Sequence, residues 1–250
     1  MSIDQLEKYP NFSYEFIFKA YDCFSKHYHP SIEQITDKLK TFYDTEWNNI
    51  LELHTLLKEA FEKLIAARPV KACQYLYIRL CYTTQVNKAY SRVTTDISGG
   101  TTVSSNKRKS FVDAIEAKYR ADYSNYADTI RKASMLYRYL LKHDTIIIGA
   151  NTYNITTEER LHVLVSGFLY TLRNDIMHGS SMAITKSSKT TLGTYAIDYF
   201  AYLLLYYLLV ILIINKFSAD YSSDIYDQLA DNIEKNVDIY KQLFGREIEF

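Results

Sequence analysis

Apolar residues recur along this chain at intervals of three and four, the period of a helix with one buried face. The first such stretch runs from Ser13 to Tyr28, where Phe16, Ile17, Ala20, Phe24 and Tyr28 form a stripe that His29-Pro30 ends. Ser31 with Gln34 makes a capping-box pattern, which predicts a long second helix to Ala67 before Arg68-Pro69 breaks it. Its apolar face includes Ile35, Phe42, Trp47, Leu57 and Phe61, with His54 as part of the scaffold. A third helix is predicted from Val70 to Ser91, with Arg79 and Lys88 extending along its surface, and a fourth from Phe111 to His143. The last, Ser222 to Phe244, carries Ile225, Leu229, Ile233, Val237, Tyr240 and Leu243 on one stripe.

The breaks in this pattern are as informative as the helices. Residues Thr94 to Ser110 are rich in Thr, Ser, Gly and Asn, contain Gly99-Gly100 and end in Lys107-Arg108-Lys109, so they predict a flexible connection. It is not a domain boundary, because the helices on either side need each other to bury their stripes. Strand chemistry outweighs helix at Ile146-Ile147-Ile148, Gly149 and Thr152 to Ile155, which predicts a small β-hairpin near residues 145–155. Thr156 and Glu159 then form a second capping box that launches a helix from Thr157 to about His178, with Leu161, Val165, Phe168, Leu169, Leu172 and Ile176 on its stripe. After it, Gly179 to Thr191 reads as a Ser/Thr/Lys-rich loop. The expected fold is all-α, one domain over residues 1–250, an antiparallel helical bundle with one small hairpin.

Sixteen uncharged residues from Tyr199 to Ile214 raise the question of a membrane. A spanning helix needs about twenty apolar residues, and this run includes Tyr199, Tyr202, Tyr206 and Tyr207, so a central bundle helix is expected and no membrane. Hydrophobic residues make up 48% of the chain, enough for a buried core, which excludes global disorder. Lys+Arg and Asp+Glu both number 29, so any affinity for nucleic acid must come from local patches rather than net charge. Cys23, Cys73 and Cys81 sit among apolar neighbours without metal-ligand spacing, and read as buried thiols of a reducing compartment. The acidic start, Met1 to Glu7, lacks the features of a signal peptide, so a cytoplasmic location is expected. His27 and His29 read as a solvated helix end rather than metal ligands.

The candidate chemistry lies in Arg173-Asn174-Asp175-Ile176-Met177-His178-Gly179, at the end of the helix launched by Thr156. Arginine can hold two phosphate oxygens in its planar fork, and imidazole titrates near neutral pH, so Arg173 and His178 can stabilise and protonate a reacting phosphodiester. Asn174 lies one turn from His178 and can orient it or donate to phosphate. Asp175 is either a solvent-exposed helix acid or, facing inward, a partner that raises the histidine's basicity. At about 100° per residue, Arg173 and His178 are separated by about 140° around the axis, so two copies of the helix across a twofold axis bring arginine and histidine together most simply, and a homodimer is expected. Lys186, Lys189, Lys107 and Arg108 are candidate substrate-binding residues. Helix four adds Lys118, Arg120, Arg131, Lys132 and Arg138 interleaved with Tyr119, Tyr123, Tyr126, Tyr137 and Tyr139, a pattern that suits either RNA or core packing in a chain with 24 tyrosines.

These residues resemble the R-x4-6-H motif of the HEPN superfamily, whose members often carry a polar residue after the arginine, as Asn174 does, and a glycine after the histidine, as Gly179 does. Arg138 to His143 fits the bare spacing too, but has Tyr139 after the arginine and no glycine, and reads as a cationic helix end. The resemblance implies a metal-independent endoribonuclease that needs no cofactor, cleaves RNA by attack of the 2′-hydroxyl and leaves a cyclic phosphate. It also implies a toxin or an anti-phage, abortive-infection effector, with an antitoxin or defence-system protein as a possible partner. Toxins of this superfamily that are silenced by nucleotidylation resemble R-x4-H-x-Y, whereas Ser180 stands at the tyrosine position here. The alternative is a non-catalytic HEPN-like helical module that binds nucleotide, RNA or protein without depending on His178.

Overall fold

The computed structural model describes residues 10–33, 35, 37–38, 50, 53–82, 86–98, 101–120, 126–177 and 192–248. The periodic stretches form helices: α1 (Pro10–Tyr28), α2 (Thr55–Ala66), α3 (Val70–Tyr77) running into a π-helical stretch (Ile78–Tyr82), α4 (Val86–Thr94), α5 (Asn106–Arg120) and α6 (Tyr126–Leu140). The motif helix begins as α7 (Thr157–His162), widens into a π-helical stretch (Val163–Leu169) and ends as α8 (Tyr170–Met177). After 3-10 turns at Leu192–Tyr195 and Ser218–Asp220 on either side of α9 (Ala196–Lys216), α10 (Ile225–Ile248) completes the described chain. The all-α expectation holds. The second helix is interrupted at His54, whose φ of −126° leaves the helical region where its ring stacks on Tyr226 at 4.0 Å. The middle of that predicted helix, Gln34 of its capping box, and Gly99-Gly100 lie outside the described residues.

Direction of packing follows from which residues meet. Tyr28 of α1 accepts a bond from Asn215 of α9 at 2.7 Å, while Tyr14 near the other end of α1 feels the charge of Asp198 near the start of α9, so these helices run parallel. His54 and Lys63, along α2, meet Tyr226 and Glu234, along α10, and that pair is parallel too. Only α9 and α10 are antiparallel, of these pairs: Tyr207 meets Asn232 at 2.8 Å, and the Tyr240 hydroxyl donates to the Ala196 carbonyl at 2.8 Å. The antiparallel packing expected of the bundle is seen between the sequence-adjacent α9 and α10, while α1 with α9 and α2 with α10 pack parallel. A short connection reverses the chain between α9 and α10, whereas α1 and α9 are far apart in sequence and nothing in the chain's path dictates their sense.

The predicted hairpin is present as β3 (Thr145–Ile148) and β4 (Asn151–Asn154), paired antiparallel from Thr145 with Asn154 to Ile148 with Asn151. Its turn uses Gly149 at φ 64°, the left-handed region glycine enters without penalty. A second hairpin, β1 (Thr95–Ser98) and β2 (Thr101–Ser104), stands where a flexible connection is expected. The Thr residues that suggest a loop are, like Ile97 and Val103, β-branched and equally strand-forming. Arg108 then fixes the hairpin's base, donating to the Val93 carbonyl at 2.7 Å and the Thr95 carbonyl at 3.3 Å and pairing with Asp96.

The motif helix is the centre of the core. Thr156 and Glu159 form the predicted capping box, and every residue from Val163 to Leu169 is buried. Two carbonyls of this widened stretch receive side-chain donors: Tyr14 donates to Leu169 at 2.6 Å and Arg92 to Ser166 at 3.3 Å. Gly167 lets α3 and α4 approach, since a Cβ there would lie 3.0 Å from Val93 and 3.1 Å from Leu76. Gly167→Val is expected to cost about 1–3 kcal/mol by overpacking. Thermal unfolding checks this, and an unchanged midpoint would mean that Val93 and Leu76 can move aside.

Helix α9 is long and apolar enough to cross a membrane, yet its side chains are mostly buried within the chain, packed on α1 and α10. Tyr199, Tyr206, Val210 and Ile213 are its half-buried positions on one stripe. Of the cysteines, Cys73 and Cys81 are buried as expected, but Cys23 is exposed on α1, a correction that follows from its place off the stripe toward α9. Burial pushes the Cys73 thiol up to about 11, so it stays protonated at neutral pH.

Candidate functional site

Helix α8 holds the motif's first residues in an environment set by three other elements. Arg173 is half-buried, its guanidinium 5.6 Å from the centre of the Phe18 ring of α1, and it donates to the Asn174 Oδ1 at 3.0 Å. Among the described residues the charge therefore rests on an aromatic face rather than on a carboxylate, which leaves it able to attract an anion. Phe18 in turn lies 6.4 Å from Tyr170, and Arg92 sits over the other aromatic partner, 4.8 Å from the Tyr170 ring. Two guanidiniums thus flank one aromatic pair. His178, Gly179, Lys186 and Lys189 lie outside the described residues, as does the loop to Thr191.

Asp175 faces inward rather than standing as a solvent-exposed helix acid. Its carboxylate is 4% exposed and accepts from both Tyr75 and Arg79. The carboxylate is thereby committed to Arg79 on the π-helical stretch after α3. Burial first, then the bond to Asp175, pushes the Tyr75 phenol well above its ordinary range, so it remains a protonated donor. Arg79 also lies 5.3 Å over the Tyr75 ring, which closes the group.

Next to these residues opens a pocket lined by Arg79, Lys88, Ala89, Arg92, Thr171, Asn174 and Asp175. Lys88 and Arg92 are one turn apart on α4, and Thr171 lies one turn before Asn174 and Asp175 on α8, so each helix presents one edge to the same groove. Arg92 donates to the Thr171 hydroxyl at 2.7 Å. Burial lowers the Arg92 pKa while the neighbouring Tyr170, Tyr75 and Asp175 work against that shift. Arg79 and Lys88 are visible in the sequence as surface cations, but their convergence on the motif helix is not. The signal available was the four-residue spacing of Lys88 and Arg92 beside the 171, 174, 175 spacing.

The other expected binding residues are differently placed. Arg108 is 5% exposed and bonded to the β1 region, so its expected role at the substrate is corrected: the guanidinium is used inside the fold. Lys107 reaches Glu159 at 2.9 Å with about half of its side chain exposed. On α5 and α6, Tyr119 and Tyr137 are buried, and Arg131 and Lys132 pair with Asp128, which favours packing over base stacking there. Arg138 of the second R-x-H spacing donates to the Ile248 carbonyl, and His143 packs against Tyr139 at 4.0 Å, as befits a structural helix end. Comparison of the chain with protein-family models, curated proteins and solved structures finds no match.

Proposed function

We propose that this chain is a metal-independent endoribonuclease of HEPN type that cleaves RNA by transesterification, acting as a toxin or an anti-phage effector. The observation that carries this reading is Arg173: a cation with no carboxylate partner among the described residues, steadied by Phe18 and Asn174 at the end of the motif helix, five residues before His178. In this reading His178 takes the proton of the RNA 2′-hydroxyl or returns one to the leaving 5′-oxygen, and Arg173 offsets the charge that builds on the phosphate. Asn174 holds Arg173 in place through its side-chain oxygen. The second reading, a non-catalytic HEPN-like module that binds nucleotide or RNA, draws on the cationic pocket, which could bind a phosphate without His178.

The reading includes a homodimer, because one helix separates Arg173 from His178 around its axis. The face left for a partner on α9 is the half-buried stripe of Tyr199, Tyr206, Val210 and Ile213; most of the helix's other apolar side chains are covered by its own chain. Mixing Arg173→Ala and His178→Ala protomers tests the shared site. Random exchange makes half the dimers mixed, each rebuilding one of two sites, so RNA cleavage recovers to about a quarter of wild type. No recovery in dimers shown to have exchanged would place arginine and histidine of one site on the same chain, and a fully active monomer would remove the dimer from the account.

A further inference from the structure

The pocket between α4, α8 and the π-helical stretch after α3 holds more positive charge than the fold consumes. Arg79 is matched by Asp175, but Arg92 is bonded to a carbonyl and a hydroxyl, which are neutral, and Lys88 is exposed with no hydrogen-bond or ion-pair partner among the described residues. The lining cations Arg79, Lys88 and Arg92 therefore face the single carboxylate of Asp175. Beside them stand the Thr171 hydroxyl and the Asn174 amide, whose oxygen is taken by Arg173 and whose nitrogen remains a donor. A flexible point charge, a guanidinium held over Tyr170 and a neutral donor around one concavity suit a tetrahedral oxyanion. The one acid in the lining is already neutralised by Arg79 and Tyr75, so it opposes an incoming anion only weakly.

We infer that this pocket is a phosphate subsite. On the ribonuclease reading, on which this assignment of its occupant rests, it seats an RNA backbone phosphate neighbouring the one at Arg173; a free phosphate group would satisfy the same donors. Asn174 links the two positions, since it lines the pocket and bonds Arg173. The subsite would hold the strand in register while the motif acts one step along it.

Two probes separate the sources: inorganic phosphate, and a 2′-O-methyl oligoribonucleotide with hydroxyl ends, which offers only phosphodiesters and cannot be cleaved through its 2′ position. Lys88→Gln on the full chain is expected to weaken one or both by about threefold to tenfold, and for the oligonucleotide to reduce the salt slope of log affinity by about 0.7 for each phosphodiester no longer neutralised. Lys235→Gln, on α10 and outside the pocket lining, should change neither. Weakening confined to inorganic phosphate identifies a free-phosphate site, and weakening with the oligonucleotide a backbone subsite. Equal binding of both probes by wild type and Lys88→Gln, or no binding of either at millimolar concentration, overturns the subsite. Phosphate binding in a protein that cuts no RNA would remove the ribonuclease reading alone, whereas RNA cleavage with probe binding indifferent to Lys88 would remove the subsite alone.

Discussion

Replacing Arg173 with alanine is expected to lower RNA cleavage by roughly 10²–10³-fold while the chain stays folded, because a positioned donor to the transition-state charge is lost. The fold should tolerate the change. Arg173 is only half-buried, and its described partners are the Phe18 face and the neighbouring Asn174; a cation over an aromatic ring at such a site is worth about 0.5–1 kcal/mol. His178→Ala should cost about 10²–10⁴-fold, the usual scale of a general acid or base. Arg138→Ala makes the contrast, since its guanidinium serves the Ile248 carbonyl and its removal should lower stability rather than cleavage. Single-turnover cleavage alongside thermal unfolding separates the two effects. Should Arg138→Ala abolish cleavage while Arg173→Ala spares it, the site has been placed on the wrong helix end.

The largest loss of stability is expected at Arg68. This residue is 2% exposed, follows the end of α2, and donates to the Ala66 carbonyl there and to the Arg138 carbonyl in the last turn of α6. One guanidinium thus satisfies backbone acceptors at the C-terminal ends of two helices, where the helix dipoles favour a cation. Burial lowers its pKa, but an arginine keeps its charge at neutral pH. Removing it empties a large buried volume and strands both carbonyls, so Arg68→Ala should cost about 3–4 kcal/mol. For a chain of this size that corresponds to a fall in melting temperature of about 10 °C. Arg68→Met, which keeps most of the volume, should recover about half of the loss. Denaturant titration tests this, and a loss below about 1 kcal/mol for Arg68→Ala would mean water replaces the guanidinium at both helix ends.

Residue patterns made the helices readable because each buries one stripe, and the capping box at Thr156 and Glu159 made the start of the motif helix readable to the residue. The hairpin at Thr145 to Asn154 was visible for the same reason, a β-branched run cut by Gly149. What the pattern hid has physical causes. Val163 to Leu169 is buried on all sides, so no polar face marks where the helix widens, and the small Gly167 that lets α3 and α4 approach reads only as a weak helix former. Thr and Ser in β1 and β2 give no clear local signal, and the bonds from Arg108 that fix the hairpin's base come from outside the strands. At the site, Arg173 and Asn174 were singled out from local spacing, whereas Arg79, Arg92 and Tyr75 reach the motif helix from residues 79 to 100 positions away, through bonds that a local pattern does not encode. Asp175 could not be oriented from the sequence because its partners lie on that distant stretch.

The chemistry of the cut ends tests the central claim most directly. Purified protein incubated with RNA in excess chelator should leave a 2′,3′-cyclic phosphate on the upstream fragment and a 5′-hydroxyl on the downstream one, and it should leave 2′-O-methyl RNA intact, because in the proposed mechanism the 2′-oxygen is the nucleophile and Arg173 and His178 supply charge and proton transfer. Products bearing a 5′-phosphate, or cleavage that is equal in wild type, Arg173→Ala and His178→Ala, would contradict the account.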